Sequence, residues 1–152
     1  MFQYTYNSPI GELLITYNNT HILGLHFDKS PTLEHLHNDI IHNCKAQLDA
    51  YFSGDLKDFD LPLHTPGTAF QQATWRALTQ IPYGKTLSYK GMAEAINNPK
   101  AARAIGNANN KNPIAVIIPC HRVITHDGGL GGFGGGLDKK IWLLEHEKNS
   151  LS

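Results

Sequence analysis

The sequence predicts an α/β protein of the α+β kind, with a small antiparallel-sheet lobe first and a helical lobe second. Three observations carry this. Aromatic and branched residues alternate with polar ones along "FQYTYNSPIGELLITYNNTHILGLHFD", residues 2–28. A Pro- and Gly-bearing connector, "DLKDFDLPLHTPG", occupies residues 55–67. Beyond it, apolar residues recur at helical spacing. The lobes are therefore expected at 1–66 and 67–152.

Each element has a local reason. Turn signals at Ser8-Pro9 and Asn18-Asn19 cut the first stretch into two or three antiparallel strands. Over residues 31–54 the pattern changes. Ile40, Ile41, Cys44, Leu48, Tyr51 and Phe52 follow a helical period, and Gly54 suits a C-cap. After the connector, "TAFQQATWRALTQI" opens with Thr68 as a cap and carries Phe70, Trp75 and Leu78 on one side. "PYGKT" is a turn, and "SYKGMAEAI" opens at Ser88. "NNPKAARAIGNAN" has Asn98 in the N-cap place and Pro99 at the first helical position. Two short helices around the tight "NNP" corner read as helix-turn-helix, the second being "KAARAIGNAN". A last helix starts near Leu137 with Asp138 in its first turn, where the dipole favours an acid.

Composition narrows the functional classes. The chain has 152 residues, enough for one domain or two small lobes, and 41% are apolar. Its apolar runs are too short to span a bilayer. The start lacks a basic segment followed by an apolar one, so no secretory signal is expected. Two distant cysteines, Cys44 and Cys120, then read as free thiols of a cytoplasmic protein. Formal net charge is zero, yet the charges are segregated. Residues 85–122 hold Lys85, Lys90, Lys100, Arg103, Lys111 and Arg122 against the single acid Glu94. Residues 28–60 hold Asp28, Glu34, Asp39, Asp49, Asp55, Asp58 and Asp60. A basic half beside an acidic half points to one surface for a polyanion, of which nucleic acid is the commonest, or else to an ordinary solvated helix face.

The chemistry centres on "VIIPCHRVI", residues 116–124. Cys120 is a small core residue or a nucleophile beside a base. A free thiol is only a few per cent thiolate at neutral pH, so full ionisation yields roughly thirty-fold. The rest must come from positioning and from help to the leaving group. His121 is the base within reach, directly or through a water. Neighbours on an extended chain face opposite ways, so a water or a turn is needed. A carboxylate behind the imidazole fixes its tautomer, and Glu145 and Glu147 both qualify on spacing.

The run "GGLGGFGGGL", residues 128–137, lacks the Lys-Ser or Lys-Thr of a P-loop and the strand-helix frame of a dinucleotide site. It reads as a loop that moves or lies close to a flat ligand. In "HLHNDIIHNC", residues 35–44, His35, His37, His42 and Cys44 fit no common zinc spacing, and no metal is expected.

Together these motifs resemble one family. "IPCHRV" is the signature of the O6-alkylguanine-DNA alkyltransferases, and the resemblance covers nearly the whole chain. It includes "YFSGDLKDFDLPL", "GTAFQQATWRAL", "IPYGKTLSYKGMA", "NPKAARAIGNANNKNPIAVIIPCHRVI" and "WLLEHE". The resemblance implies a ribonuclease H-like N-terminal lobe and a winged helix-turn-helix C-terminal lobe. It implies direct repair of O6-methylguanine, and of O4-methylthymine, by irreversible single transfer to the protein. The implied partner is double-stranded DNA, met by a monomer with no cofactor.

Roles follow position by position. Cys120 matches the alkyl acceptor, His121 the residue that deprotonates it through a water, and Glu147 the acid behind the histidine. Tyr89 matches the tyrosine that helps rotate the nucleotide and protonates the leaving guanine. Arg103 matches the finger that fills the gap left by the flipped base. Asn98, Lys100, Ala102 and Arg122 join Arg103 and Tyr89 on the expected DNA surface. Asn112 matches the asparagine that braces the turn before the cysteine. Pro119, Val123, Phe133 and Gly134 line the base pocket. Other members often have Tyr and Ser at the last two positions, so tolerance of bulky adducts is expected to differ here.

Rival readings make different use of the same residues. A cysteine hydrolase explains the thiol, imidazole and acid but not Arg103. A DNA-binding regulator leaves Cys120 idle. An alkyltransferase-like lesion sensor lacks the acceptor cysteine that this chain has.

Overall fold

The computed structural model describes residues 1–27, 35–125 and 127–151. The chain divides into two compact units, Met1–Thr65 and Pro66–Ser152.

In the first unit, β1 (Phe2–Ser8), β2 (Gly11–Tyr17) and β3 (Ile22–His26) form an antiparallel sheet in the order β1-β2-β3. The register runs from Phe2 opposite Tyr17 to Ser8 opposite Gly11. Gly11, at φ +107°, completes the β1–β2 turn in a region open to glycine. The Asn18 side chain accepts from the amides of Thr20 and His21 at 2.8 and 2.7 Å and so makes the next turn. Both turn signals in the sequence lie where the chain reverses. Leu13, Ile15 and Tyr17 alternate along one fully buried face.

Helix α1 (Asp39–Phe52) buries Ile41, Cys44, Leu48 and Tyr51 at helical spacing. It starts later than the pattern over 31–54 suggests. Asn38 caps it by accepting from the Ile41 amide at 3.0 Å, and residues 28–34, with Asp28 and Glu34, lie outside the described residues. At the other end Gly54 has φ +89° and its amide reaches the Tyr51 carbonyl at 3.1 Å. The sequence connector is bound to the sheet edge: Ile22 donates to Pro62 and accepts from His64 at 2.8 and 3.0 Å. Tyr6 donates to Asp49 at 2.5 Å and ties β1 to α1.

Burial pushes the Cys44 thiol up to about 12. Iodoacetamide at about pH 8 should therefore spare Cys44 in the native protein, whereas denaturant should expose both cysteines. Intact mass reads this out, and native labelling of Cys44 would contradict its burial.

The second unit is mainly helical. Helix α2 (Ala69–Thr79) opens with a capping box between Thr68 and Gln71. Trp75 and Leu78 are buried, and the Trp75 indole donates to the Ala108 carbonyl at 2.9 Å. Strand β4 (Leu87–Ser88) leads into α3 (Tyr89–Ala95), capped by Ser88 through the Gly91 amide. Helix α4 (Ala102–Asn110) packs against α3 and α2.

The corner between α3 and α4 differs from the sequence reading. Asn98 is not an N-cap, and Pro99 is not the first helical residue. The Ala101 amide reaches the Asn98 carbonyl at 3.0 Å, so residues 98–101 close a four-residue turn with Pro99 second. A proline there presets φ for such a turn, which competes with helix initiation at the same place. Helix α4 then starts at Ala102 without a side-chain cap.

After α4 the apolar run is wound rather than extended. Residues 114–118 are buried, and Val116 holds φ +71°, an uncommon conformation for a β-branched residue. A single 3-10 turn (Cys120–Arg122) leads into β5 (Val123–Ile124), which pairs in parallel with β4. The unit ends in α5 (Leu137–Ser150), with Asp138 in its first turn. No helix among the described residues is long and apolar enough to cross a membrane.

Candidate active site

The site grows from the wound segment after α4. Asn112 donates to the Ile118 carbonyl at 2.7 Å and accepts from the Ile114 amide at 3.0 Å. One side chain thus spans the strained loop and fixes the approach to Pro119 and Cys120. Asn109, buried on α4, donates to the Cys120 carbonyl at 3.3 Å. The 3-10 turn supplies what an extended chain lacks, since adjacent side chains no longer point to opposite faces.

Cys120 is 6% exposed. Burial pushes its thiol up, while the Asn112 side chain and the Lys140 charge pull it back. Its resting form is the thiol. Among the described residues no hydrogen bond joins its sulfur directly to His121.

His121 is fully buried. Its Nε2 lies 2.6 Å from Glu147 Oε2, and its Nδ1 has no partner among the described residues. Burial, with the charges of Arg122 and Lys140, pushes the imidazole down and outweighs the pull of Glu147. Burial works against charge on Glu147 too. There the hydrogen bonds from His121 and Arg122 win and hold the carboxyl well below the usual carboxylate range. The pair is therefore an ionised carboxylate and a neutral imidazole. The proton sits on Nε2, and Nδ1 presents a lone pair.

The spacing left two acids open, and packing separates them. Glu147 is 1% exposed, and Glu145 is on the exposed side of α5. Arg122, expected on the DNA surface, is instead buried at 5% exposure. Its Nε donates to Glu147 Oε1 at 2.8 Å, its Nη2 to Oε2 at 3.1 Å and its Nη1 to the Ile81 carbonyl at 2.7 Å. A guanidinium between an ionised carboxylate and a buried carbonyl is more stable than one facing outward with that carboxylate unpaired.

Lys140 is fully buried and was not singled out in the sequence. Its Nζ donates to the carbonyls of Val123 at 2.7 Å, Gly132 at 3.2 Å and Leu130. Three acceptors match the three N–H bonds of an ammonium. This lysine ties the glycine-rich loop to the strand after the cysteine. A signal was available: Lys140, Leu143 and Glu147 fall at i, i+3 and i+7, so two charges occupy the buried stripe of α5.

Tyr89 is half-buried beside this loop. Burial raises its hydroxyl and Cys120 adds to the rise, while the Gly132 backbone and Asn109 oppose it. A side chain at Gly131 would come within 2.8 Å of the Tyr89 oxygen, and φ there is +69°. Glycine is required on both counts. Pro119 and Val123 are buried, Phe133 is half-buried, and Gly134 is exposed with open space around it.

The remaining sequence-predicted residues gather on α3, α4 and their corner. Asn98, Lys100 and Arg103 are exposed, Ala102 is half-buried, and Lys90 and Lys111 are exposed nearby. In the other unit His35, His37 and His42 are exposed, whereas Cys44 faces the core. No three metal-ligating side chains converge among the described residues.

A buried thiol next to an imidazole–carboxylate pair, in the same unit as a helix-turn-helix, defines a protein with a candidate cysteine nucleophile on a nucleic-acid-binding scaffold. Comparison with known proteins narrows this. Residues 1–65 match the 6-O-methylguanine DNA methyltransferase ribonuclease-like domain, and residues 69–149 match the DNA-binding domain of the same family. A methylated-DNA–protein-cysteine methyltransferase of Methanosarcina barkeri is 49% identical over 150 residues, covering 95% of each chain. One from Mycobacterium tuberculosis is 46% identical over 150 residues, covering 95% of this chain and 91% of its own. The crystal structure of Mycobacterium tuberculosis OGT in complex with DNA superposes with a TM-score of 0.91 at 44% identity, over 99% of this chain and 94% of that one. The chain belongs to the methylated-DNA–protein-cysteine methyltransferase family.

Proposed function

We infer that this protein repairs O6-methylguanine in double-stranded DNA by moving the methyl group irreversibly to Cys120. The observation that carries the reading is the buried imidazole of His121, with Nε2 bound to Glu147 and the Nδ1 lone pair unpartnered beside the acceptor turn. Such a group takes up the thiol proton through one bridging water.

The O6 atom lies within the base stack, so the nucleotide must rotate out, at a cost of on the order of a few kcal/mol. Arg103, exposed at the second position of α4, fills the vacated space. Asn98, Lys100 and Ala102 meet the backbone beside it. Phe133, Gly134, Pro119 and Val123 enclose the flipped base. The Cys120 thiolate then attacks the methyl carbon. The Sγ–C bond forms as the C–O6 bond breaks, and its electron pair stays on the guanine. Tyr89 gives that guanine a proton and is itself reprotonated by the one held on His121, so the proton that left the thiol is replaced on guanine and net charge is conserved. Lys140 supplies a fixed positive charge near the sulfur while the thiolate exists.

The product is a thioether, which has no thiol-exchange route back. Each molecule acts once and needs neither cofactor nor external methyl donor. O4-methylthymine, whose alkyl group is on an equivalent exocyclic oxygen, is a second substrate. The protein works in the cytoplasm as a monomer, with residues 67–152 carrying the reaction and residues 1–66 forming a separate α/β lobe.

Intact mass after incubation with a duplex bearing one O6-methylguanine tests this. A gain of one methylene, stopping at one equivalent, is the expected result. Retained lesion binding without mass gain would indicate a sensor. Absence of both would favour a cysteine hydrolase.

A further inference from the structure

We propose that Arg122 is a positioning residue of the transfer reaction: by neutralising Glu147 it keeps His121 uncharged and able to accept the thiol proton. The proposal rests on the alkyl-transfer reading above and adds a residue to its machinery.

The geometry is a saturated carboxylate. Glu147 Oε2 receives His121 Nε2 at 2.6 Å and Arg122 Nη2 at 3.1 Å. Its Oε1 receives Arg122 Nε at 2.8 Å and the Gly84 amide at 3.3 Å. Arg122 also holds the Ile81 carbonyl at 2.7 Å, and its guanidinium carbon is 5.7 Å from the Tyr83 ring centre. The planar fork is thus held by two partners besides the acid.

A buried carboxylate needs one compensating positive charge. Two neighbours can supply it: Arg122, which is always charged, or His121 by protonation. With Arg122 in place the charge is already balanced. The imidazole then only donates a hydrogen bond and keeps a free lone pair on Nδ1. Without Arg122, Glu147 draws a proton onto His121, and an imidazolium cannot accept another. The groups whose charge reaches His121 are Glu147 and Lys140 from α5 and Arg122 from its own turn. The charged side chain of α2, Arg76, is exposed. Removing Arg122 leaves Glu147 as the acid beside the ring, with Lys140 opposing it more weakly.

The test is the pH dependence of single-turnover methyl transfer from saturating O6-methylguanine duplex, in wild type, Arg122→Gln and Arg122→Lys. Arg122→Gln should move the acid limb up by at least about one pH unit, so that at a fixed pH on the wild-type limb transfer falls about a further tenfold relative to its own plateau. Arg122→Lys keeps a charge and should restore the limb, with a lower plateau because the fork is lost. Nitrogen NMR of His121 gives a second readout that does not need the reaction. It should find, at a pH between the two acid limbs, a neutral Nε2–H ring in wild type and a doubly protonated ring in Arg122→Gln.

If Arg122→Gln does not fold, the double variant Arg122→Gln/Glu147→Gln removes both charges and should show a neutral ring at every pH above the ordinary histidine range. A folded Arg122→Gln with a neutral His121 and an unmoved acid limb overturns the proposal, as does a charged ring in the double variant. Wild type that transfers no methyl refutes the repair reading instead, and the NMR readout then decides the Arg122 assignment by itself.

Discussion

Cys120→Ser is expected to abolish methyl uptake while leaving lesion binding in place. The substitution keeps the side-chain shape, and the site around it is closed: Asn112 braces the loop ahead of it and Asn109 holds its carbonyl. The lost property is acidity. Burial already pushes the thiol up, so ionisation there depends on the Asn112 side chain and the Lys140 charge. An alcohol is a far weaker acid, and a buried imidazole whose own affinity for protons is depressed cannot ionise it. Transfer should fall by a factor on the order of 10³ or more, the scale of losing a nucleophile from a preorganised site. The hydroxyl placed in this pocket costs at most about 1–3 kcal/mol, so the fold should persist. Arg103 and Lys100 are exposed and untouched, so a gel shift with lesion duplex should be near wild type. Intact mass of the variant after prolonged incubation is the check. Methyl gain on Cys120→Ser would place the acceptor elsewhere.

Glu147→Ala should be the most destabilising single change in the second unit. The carboxylate receives four hydrogen bonds from His121, Arg122 and Gly84 while 1% exposed. Its removal leaves a buried guanidinium without a counter-charge and a cavity behind the imidazole. Breaking one side of such a pair costs about 3–5 kcal/mol. A domain's whole stability is about 5–15 kcal/mol, so this is a large fraction of it. Urea titration of the variant should show a midpoint lowered accordingly with the slope nearly unchanged. Since the Glu147 carboxyl is held low by its partners, wild type gains this stability above the ordinary carboxylate pKa. It loses it only as pH falls through the depressed native value. Glu147→Ala should therefore flatten the acid side of the stability–pH curve. A midpoint within error of wild type would mean that Arg122 finds another partner.

How much of this was legible in the chain can be judged residue by residue. The alternation over residues 2–28, the caps at Thr68 and Ser88 and the stop at Gly54 are local devices, each complete within a few residues. They were readable because the physics is local. The corner at Asn98-Pro99 was local as well, but two structures compete there. Proline suits both a first helical turn and the second position of a tight turn, and packing of α4 on α3 and α2 decided it.

By itself the sequence determined the order of the first-lobe strands and of the main helices, that a thiol, an imidazole and an arginine are consecutive, and that the α3–α4 corner is basic. It left Glu145 and Glu147 equivalent on spacing. It placed Arg122 at the surface and passed over Lys140. The family resemblance already favoured Glu147, but that Glu147, Arg122 and Lys140 turn inward was decided only by the tertiary structure. Charged side chains are exposed by default, because a lone buried charge is costly. The exception needs a partner of opposite charge or a ring of carbonyls, and here those partners come from distant segments. Glu147 is twenty-five residues beyond Arg122, and the Lys140 carbonyls belong to β5 and the glycine-rich loop. Whether a charge turns inward is thus a property of the pair, and the pair exists only once α5 has packed against the acceptor turn.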